Sequence, residues 1–317
     1  MFKYTKNELS ERAKEMNFVR DTLEKVVRLV DILEYLNTNP LTKEYLVLKG
    51  GTAINLTIFR LPRLSVDIDL DFSGNVSRER MLELRSRLCE DIKIYMSTQG
   101  YTISPRSKTY HSLDSFVFNY INLGGVQDNI KIEINYSLRA HLLEAEERLV
   151  VGNSEWTNKK ILTLAPIELF AAKINALLGR AAARDLYDVH NMIVLGIFKE
   201  KELNLLRKCT VFYTAISQEN ISDEYDYSRM NGITGQKIKT DLRPVIHKNE
   251  SFDVEKVKHE AENFLRSLLI LTKEERSFLR AFQNGQYRPE LLFDGDMLER
   301  VKDHPMAIWK IRKIREK

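Results

Sequence analysis

The most constraining feature of this 317-residue sequence is a strand pattern in which carboxylates alternate with aliphatic residues. The aliphatic positions are Val66, Ile68 and Leu70, and the acidic positions between and after them are Asp67, Asp69 and Asp71. Because alternate residues of a strand point to the same face, the three carboxylates would share one face. Aspartate is disfavoured in strands, and like charges repel each other. The pattern therefore predicts a strand whose carboxylates bind a cation.

A glycine pair, Gly50-Gly51, lies upstream of this strand, between a short apolar run and a helical pattern. A glycine turn at the start of a helix offers backbone N–H groups to phosphate, and carboxylate oxygens are the ligands that Mg²⁺ prefers. Arg63 and Ser65 are in phase with Asp67 on the strand. The region therefore predicts a metal-plus-nucleotide site for phosphoryl-group chemistry. The alternative interpretation is a tight turn beside a solvated edge strand.

Two blocks of the sequence carry a family resemblance. The first block reads Gly50-Gly51-Thr52, then Arg63-x-Ser65-x-Asp67-x-Asp69. It is similar to the first motif of the nucleotidyltransferase superfamily typified by DNA polymerase β, and more narrowly it resembles the AbiEii/AbiGii-type nucleotidyltransferase toxins of type IV toxin–antitoxin and abortive-infection systems. The second block, similar to that family's helical motif, contains Pro166, Glu168, Lys173, Arg180, Arg184, Asp185 and Asp188. The resemblance covers roughly residues 45–195.

The resemblance implies that Asp67 and Asp69 are catalytic and hold two Mg²⁺ ions, or Mn²⁺ in their place. Glu133 is the candidate third metal ligand, since Lys131, Glu133 and Asn135 alternate with isoleucines along another predicted strand. The family usually has aspartate at that position. The alternative for Glu133 is a solvated strand face with an ion pair to Lys131.

The resemblance also implies a nucleotide-binding set. Its members are Gly50, Gly51, Thr52, Arg63 and Ser65. Lys173 would be a phosphate-binding lysine, although a surface lysine is the ordinary interpretation of such a position. Asp188 would orient Lys173 or act as general base, with Asp185 as the alternative for that role.

The predicted fold class is α+β. Residues 1–160 are expected to form a polymerase-β-like nucleotidyltransferase core, a mixed sheet with helices, which begins with an amphipathic helix over residues 8–36. Residues 161–317 are expected to form a helical domain that contributes the lysine and aspartate to the active site.

Composition limits the other classes of function. No apolar run reaches the length of a membrane span, the N-terminus lacks a secretory pattern, and two cysteines fit a reducing compartment, so a cytoplasmic protein with no membrane partner is expected. The net charge of +4 permits binding to nucleic acid. Basic residues concentrate in segments 237–248 and 310–317, which could neutralise RNA phosphates.

The functional prediction is a Mg²⁺-dependent nucleotidyltransferase that moves an NMP from an NTP to an acceptor hydroxyl. By resemblance, the acceptor is the 3′ end of tRNA, and the protein is the toxin of a system with a separately encoded antitoxin. Transfer to a small molecule or a protein is an alternative within the same chemistry. A nucleotide-binding regulatory module without transfer activity, and a metal-dependent nuclease, are alternatives from other classes.

Overall fold

The computed structural model describes residues 3–74, 76–150, 156–219 and 221–316, and the chain divides into two compact units. The first, called the sheet unit, comprises Met1–Arg139, Ala145–Leu164 and Pro244–Glu250. The second, called the helical unit, comprises Ala140–Glu144, Ala165–Arg243 and Ser251–Lys317.

A mixed sheet forms the centre of the sheet unit. Its strands, among the described residues, are β1 (Leu46–Lys49), β2 (Asp67–Phe72), β3 (Thr102–Ile103), β4 (Lys108–Thr109), β5 (Leu113–Ile121), β6 (Gln127–Asn135), β7 (Glu146–Leu149) and β8 (Lys160–Thr163). Their spatial order is β3-β5-β6-β2-β1-β8-β7, and β4 also pairs with β5. The long β5 and β6 form an antiparallel hairpin, and β2 lies in the middle of the sheet.

The helices of the sheet unit are α1 (Lys6–Glu15), α2 (Arg20–Thr38), α3 (Pro40–Tyr45), α4 (Gly50–Thr57) and α5 (Arg78–Thr98). The prediction of one continuous helix over residues 8–36 is wrong. The helix breaks after Glu15, where Asn17 has a left-handed φ of 56°, and restarts at Arg20. A left-handed residue cannot continue a right-handed helix, so the apolar period alone did not reveal the break.

The register of β2 places its carboxylates beside polar residues of both neighbours. β2 pairs antiparallel with β1, with Lys49 opposite Asp69, and parallel with β6. On the β6 side Asp67 is opposite Lys131, and Asp69 is opposite Glu133. The isoleucines and leucine between these residues are buried, and Asp67, Asp69 and Glu133 are half-buried. The predicted alternation of faces on both strands is confirmed.

The helical unit is built from helices on both sides of a long irregular connection. Its helices are α6 (Pro166–Arg180), α7 (Ala183–Val194), α8 (Glu200–Ser217), the short α9 (Gly235–Lys237), α10 (Val254–Leu268), α11 (Lys273–Gln283), α12 (Gly295–Val301) and α13 (Pro305–Arg315). Two 3₁₀ turns, Ser228–Gly232 and Pro289–Leu291, and a π-helical turn, Ile238–Leu242, complete it. Pro166 starts α6, because a helix's first position needs no N–H donor. Phe170, Ile174 and Phe212 lie in the apolar interior.

The chain crosses between the two units more often than the predicted boundary at residue 160 allows. Strand β8 lies in the sheet unit because Leu48 of β1 pairs with Thr163 in parallel. Pro244–Glu250 also lies there, since the Leu64 N–H donates to the Val245 carbonyl over 2.7 Å. Ala140–Glu144, by contrast, lies in the helical unit.

Candidate active site

Asp69 lies against the glycine turn. Gly50 has a left-handed φ of +71°, and a Cβ added there would lie only 2.5 Å from Asp69 Oδ2. Both the backbone conformation and the space therefore require glycine. The turn and the strand carboxylate form one cradle, in which a side chain at position 50 would displace the carboxylate.

The first turn of α4 completes this cradle. The helix begins at Gly50, and among the described residues its N-cap residue, Lys49, makes no side-chain hydrogen bond to the first N–H groups. Such a helix start has unsatisfied N–H donors and a positive end, which together suit an anion. Its first residues therefore offer donors beside the carboxylate strand.

The other predicted nucleotide-binding residues lie around Gly51. A Cβ at Gly51 would lie 2.6 Å from Arg63 Nη2 and 3.2 Å from Ser65 Oγ. Thr52 Oγ1 lies 2.9 Å from Ser65 Oγ and also contacts the Asp67 carbonyl oxygen. The structure thus brings together Gly51, Thr52, Arg63 and Ser65 next to the start of β2, where Asp67 lies.

Arg63 is buried rather than displayed on the surface. Its side chain is 2% exposed, and Nη1 donates to the Leu64 carbonyl over 3.0 Å. A buried guanidinium beside a helix N-terminus adds positive charge where a phosphate would approach. The position is consistent with the predicted phosphate contact.

Glu133 pairs with a lysine of its own strand. Lys131 Nζ lies 2.9 Å from Glu133 Oε1, and the two side chains are 38% and 27% exposed. Burial opposes the charge on Lys131, but its pKa is raised because the hydrogen bond to Glu133 and the charges of Glu133, Asp67 and Asp69 outweigh that cost. Lys131 therefore lies within the electrostatic reach of all three candidate metal ligands.

Among the described residues, no three His, Cys, Asp or Glu side chains are grouped closely enough to form a metal site by themselves. The ion pair with Lys131 accounts for the position of Glu133, because the lysine draws its carboxylate toward the same strand. The alternative interpretation of Glu133, an ion pair on a strand face, is thus what this structure contains.

Asp71, the third aspartate of the strand, has a structural partner. It is fully buried, and its Oδ1 accepts a charge-assisted hydrogen bond from Lys49 of the neighbouring strand. This ion pair links β1 to β2 directly behind the glycine turn. Lys49 and Asp71 are therefore paired with each other, and the candidate metal ligands on this strand are Asp67 and Asp69.

In the helical unit, the predicted lysine and aspartates form a buried cluster. Lys173 is 8% exposed, and its Nζ lies 3.0 Å from Asp185 Oδ1 and 3.2 Å from Asp188 Oδ2. Arg180 adds a bond to Asp185 over 2.7 Å. Burial raises the pKa of Asp185, but the charge of Lys173 and the hydrogen bond from Arg180 more than reverse this and lower it. The interpretation of Lys173 as a surface lysine is wrong, because α7 covers it with two carboxylates.

A family model described as nucleotidyl transferase AbiEii toxin, type IV TA system, matches residues 31–284 of the chain. The chain belongs to this family. The AbiEii match includes the glycine turn, the carboxylate strand and the buried lysine cluster, and it extends well beyond the two blocks that carried the resemblance. This AbiEii protein is therefore a nucleotidyltransferase toxin of the type IV toxin–antitoxin class.

A solved structure confirms the fold class. MenT4, a nucleotidyltransferase toxin from Mycobacterium tuberculosis H37Rv, superimposes with a TM-score of 0.64 at 15% identity, covering 89% of this chain and 98% of that one. The predicted mixed sheet with helices, followed by a helical C-terminal region, is thus shared with a known toxin fold. No curated protein sequence matches the chain. Within the described ranges, no helix combines the length and the apolar character needed to cross a bilayer.

The residues of the AbiEii motif fit a divalent metal by the chemistry of their donors. Asp67 and Asp69 offer hard carboxylate oxygens from one strand face, and the lack of a side chain at Gly50 lets the Asp69 carboxylate lie against the glycine turn. Mg²⁺ is held in proteins by one or two carboxylates together with substrate phosphates and water. Two aspartates beside a helix start suited to an anion meet that requirement.

Sequence reasoning included Arg180 and Glu168 in the helical block but assigned neither of them a positioning role. Arg180 anchors Asp185, and a sequence signal existed, since Arg180 and Asp185 stand at the helix end and the next helix start. Glu168 is fully buried and accepts the N–H groups of Leu142 and Leu143 over 3.0 and 3.1 Å, which holds Ala140–Glu144 to α6. Its partners, 25 and 26 residues away, gave no signal in the sequence.

Proposed function

We propose that this AbiEii toxin transfers an NMP from an NTP to an acceptor hydroxyl, with release of pyrophosphate and with Mg²⁺ or Mn²⁺ as the required ion. The observation that carries the proposal is the cradle in which Asp69 lies against Gly50 at the start of α4, where, in the described part of the chain, the Lys49 side chain makes no capping hydrogen bond. A triphosphate needs backbone donors, and a metal needs carboxylates. This cradle places the backbone donors of α4 and the carboxylate of Asp69 next to each other.

In the proposed reaction, the first N–H groups of α4 and the buried Arg63 bind the triphosphate oxygens. Thr52 and Ser65 hold each other through their hydroxyls and fix the turn on which those donors lie. Asp67 and Asp69 would hold the metal, and Glu133, which is paired with Lys131 in this structure, would be its third ligand. When bound, the metal polarises the α-phosphate and supports the developing charge on the attacking and leaving oxygens.

The cluster in the helical unit supports a second part of the proposal. Lys173 would bind a phosphate oxygen of the substrate, and Asp188 would orient it or take the proton of the acceptor hydroxyl. The support is that Lys173 contacts both carboxylates, over 3.0 Å to Asp185 and 3.2 Å to Asp188, and that Arg180 bonds to Asp185 as well. Because a lysine ammonium has three N–H donors, hydrogen bonds to buried carboxylates fix the direction of the donor that is left for a phosphate.

For the acceptor, we propose the 3′ end of tRNA. The basic segments of the chain, its net charge of +4 and the toxin class support a nucleic-acid acceptor. A separately encoded antitoxin would be the regulatory partner, as the type IV class implies.

The test is release of pyrophosphate together with movement of label. Purified protein is incubated with Mg²⁺, total tRNA and each NTP labelled in turn on the α-phosphate. The expected result is label on RNA and an equal amount of pyrophosphate, both lost in Asp67→Asn/Asp69→Asn. Asp128→Asn is the matched control, because Asp128 lies on β6 of the same sheet and pairs with Lys25 instead.

The remaining outcomes separate the alternative functions. Pyrophosphate without labelled RNA would indicate a small-molecule or protein acceptor. Binding of NTP without pyrophosphate under every condition would favour a regulatory nucleotide-binding module. Shortening of RNA with no need for NTP would indicate a nuclease.

A further inference from the structure

A pocket in the helical unit has no role in the chemistry proposed above. Its volume is about 330 Å³, and it is lined by Gly235, Ile238, Lys239, Arg243, Phe252 and Val254. One wall is the π-helical turn Ile238–Leu242. π-Helical turns are rare and occur frequently at functional sites, so the turn beside this pocket makes it a candidate binding site.

The helix that carries the motif aspartates also supports the pocket. Arg184 Nε donates to the Asp241 carbonyl over 2.7 Å and thereby ties α7 to the π-helical turn. The ring of Tyr187, on the same helix, lies 5.8 Å from the ring of Phe252. Helix α7 therefore fixes both walls of the pocket as well as Asp185 and Asp188.

The side chains at the pocket combine positive charge with an aromatic face. Lys239 and Arg243 are exposed at its edge, Lys237 is exposed on the same short segment, and Phe252 is half-buried. Asp241 is the one acidic residue in the sequence from 235 to 243. Cations beside an aromatic ring are the groups with which proteins bind single-stranded nucleic acid, since the ring stacks on a base and the cations neutralise phosphates.

We propose that this pocket binds an unpaired nucleotide of the acceptor RNA. The base stacks on Phe252, and Lys239 and Arg243 contact the flanking phosphates. This inference rests on the proposed function, because it takes RNA to be the acceptor. A volume of about 330 Å³ fits one nucleotide rather than a duplex groove, and stacking requires a base that is not already paired.

The test compares two RNA hairpins, one with a single-stranded 3′ overhang and one with a blunt end. Each carries a fluorophore, and binding to the full-length protein is followed by anisotropy without NTP. The wild-type protein should prefer the overhang. Phe252→Leu should reduce that preference roughly five- to one-hundred-fold, the range for losing one stacked base, and Phe252→Tyr should keep it.

The phosphate contacts have a separate readout in the salt dependence. The binding constant for the overhang RNA falls as the salt concentration rises, and each single-strand phosphate contact adds about 0.7 to the steepness of log K against log salt concentration. Lys239→Ala/Arg243→Ala should therefore make this dependence shallower by about 1.4. Arg280→Ala/Lys302→Ala is the matched control. It removes the same charge from two exposed cations of the helical unit that pair with Asp223 and Glu299.

The proposal and the proposed function can fail separately. If the wild-type protein does not distinguish overhang from blunt RNA, or if Phe252→Leu changes neither affinity, the pocket is not a nucleotide site. An equal loss in both double variants would indicate general attraction to anions, including acidic protein segments, and would also overturn it. Overhang binding that depends on Phe252, in a protein that transfers no label to RNA, would support the pocket and contradict the transfer reaction.

Discussion

Lys131 Nζ lies 2.9 Å from Glu133 Oε1, on the strand whose register sets these two residues beside Asp67 and Asp69. The ammonium group of Lys131 thus already interacts with the carboxylates that would bind a divalent ion. The pair is partly exposed, and the lysine stem is flexible, so Glu133 can be released when the lysine turns away.

Removing this lysine should strengthen metal binding. Lys131→Met frees the Glu133 carboxylate and removes a positive charge from the site, so Mn²⁺ should bind roughly two- to five-fold more tightly, in line with the modest worth of a partly exposed ion pair. Mn²⁺ titration followed by electron paramagnetic resonance, without NTP, measures this directly. In a Glu133→Gln background the same change should give a smaller gain. Unchanged or weaker Mn²⁺ binding in Lys131→Met would contradict the role of the pair.

Alanine at Gly50 should abolish metal and nucleotide binding. The new Cβ would lie 2.5 Å from Asp69 Oδ2 and would displace the carboxylate, and the left-handed backbone would add strain of about 1 kcal/mol. Gly125→Ala is the matched control, since Gly125 has a φ of +80° but open space around its Cβ position. Gly125→Ala should show only the loss of stability from backbone strain, and Gly50→Ala alone should lose Mn²⁺ and NTP binding by calorimetry. Equal retention of binding would show that the cradle is not the site.

Lys173 should be important for stability as well as for chemistry. Lys173→Met removes the buried cation that Asp185 and Asp188 share, which should lower the free energy of unfolding by about 3–5 kcal/mol at neutral pH. Lys173→Met/Asp188→Asn should recover part of this loss, because the neutral amide needs no counter-charge. Urea denaturation measures both variants. A double variant as unstable as the single one would show that the loss comes from packing.

His304 should make stability depend on pH in the mildly acidic range. Burial lowers its pKa to about 4, and its neutral ring is satisfied, with Nε2 donating to the Ala140 carbonyl and Nδ1 accepting from the Ala307 N–H. Between the ordinary pKa of 6.5 and about 4, the unfolded chain therefore binds more protons than the folded one, and stability falls as pH falls.

This contribution amounts to about 3 kcal/mol across the full window. His304→Gln should therefore flatten the decline of the unfolding free energy between pH 6.5 and about 4. Denaturation series across that range compare the two slopes. An unchanged slope would assign the acid sensitivity in that window to groups other than His304. Asp185 is not among them, since its lowered pKa contributes stability that is lost only as the pH falls below 3.8.

The sequence predicts those features of the fold that are determined by residues close together in the chain. The alternation in β2, the glycine turn and the proline start of α6 each follow from a local rule, and the structure contains them. The burial of Lys173 could not be predicted in the same way, because its covering carboxylates come from another helix. The pairing of Asp71 with Lys49 likewise depends on the antiparallel register of two strands.

The central claim is tested most directly with tRNA whose 3′ end has been oxidised by periodate. Intact tRNA, an NTP and Mg²⁺ should give an RNA product heavier by whole NMP units in a mass spectrum. Oxidised tRNA, which lacks the terminal hydroxyls, should give none, and Asp67→Asn/Asp69→Asn should give none with either substrate. Addition to oxidised tRNA, or a gain in mass that persists in the double variant, would contradict transfer to a 3′ hydroxyl at the Asp67–Asp69 site.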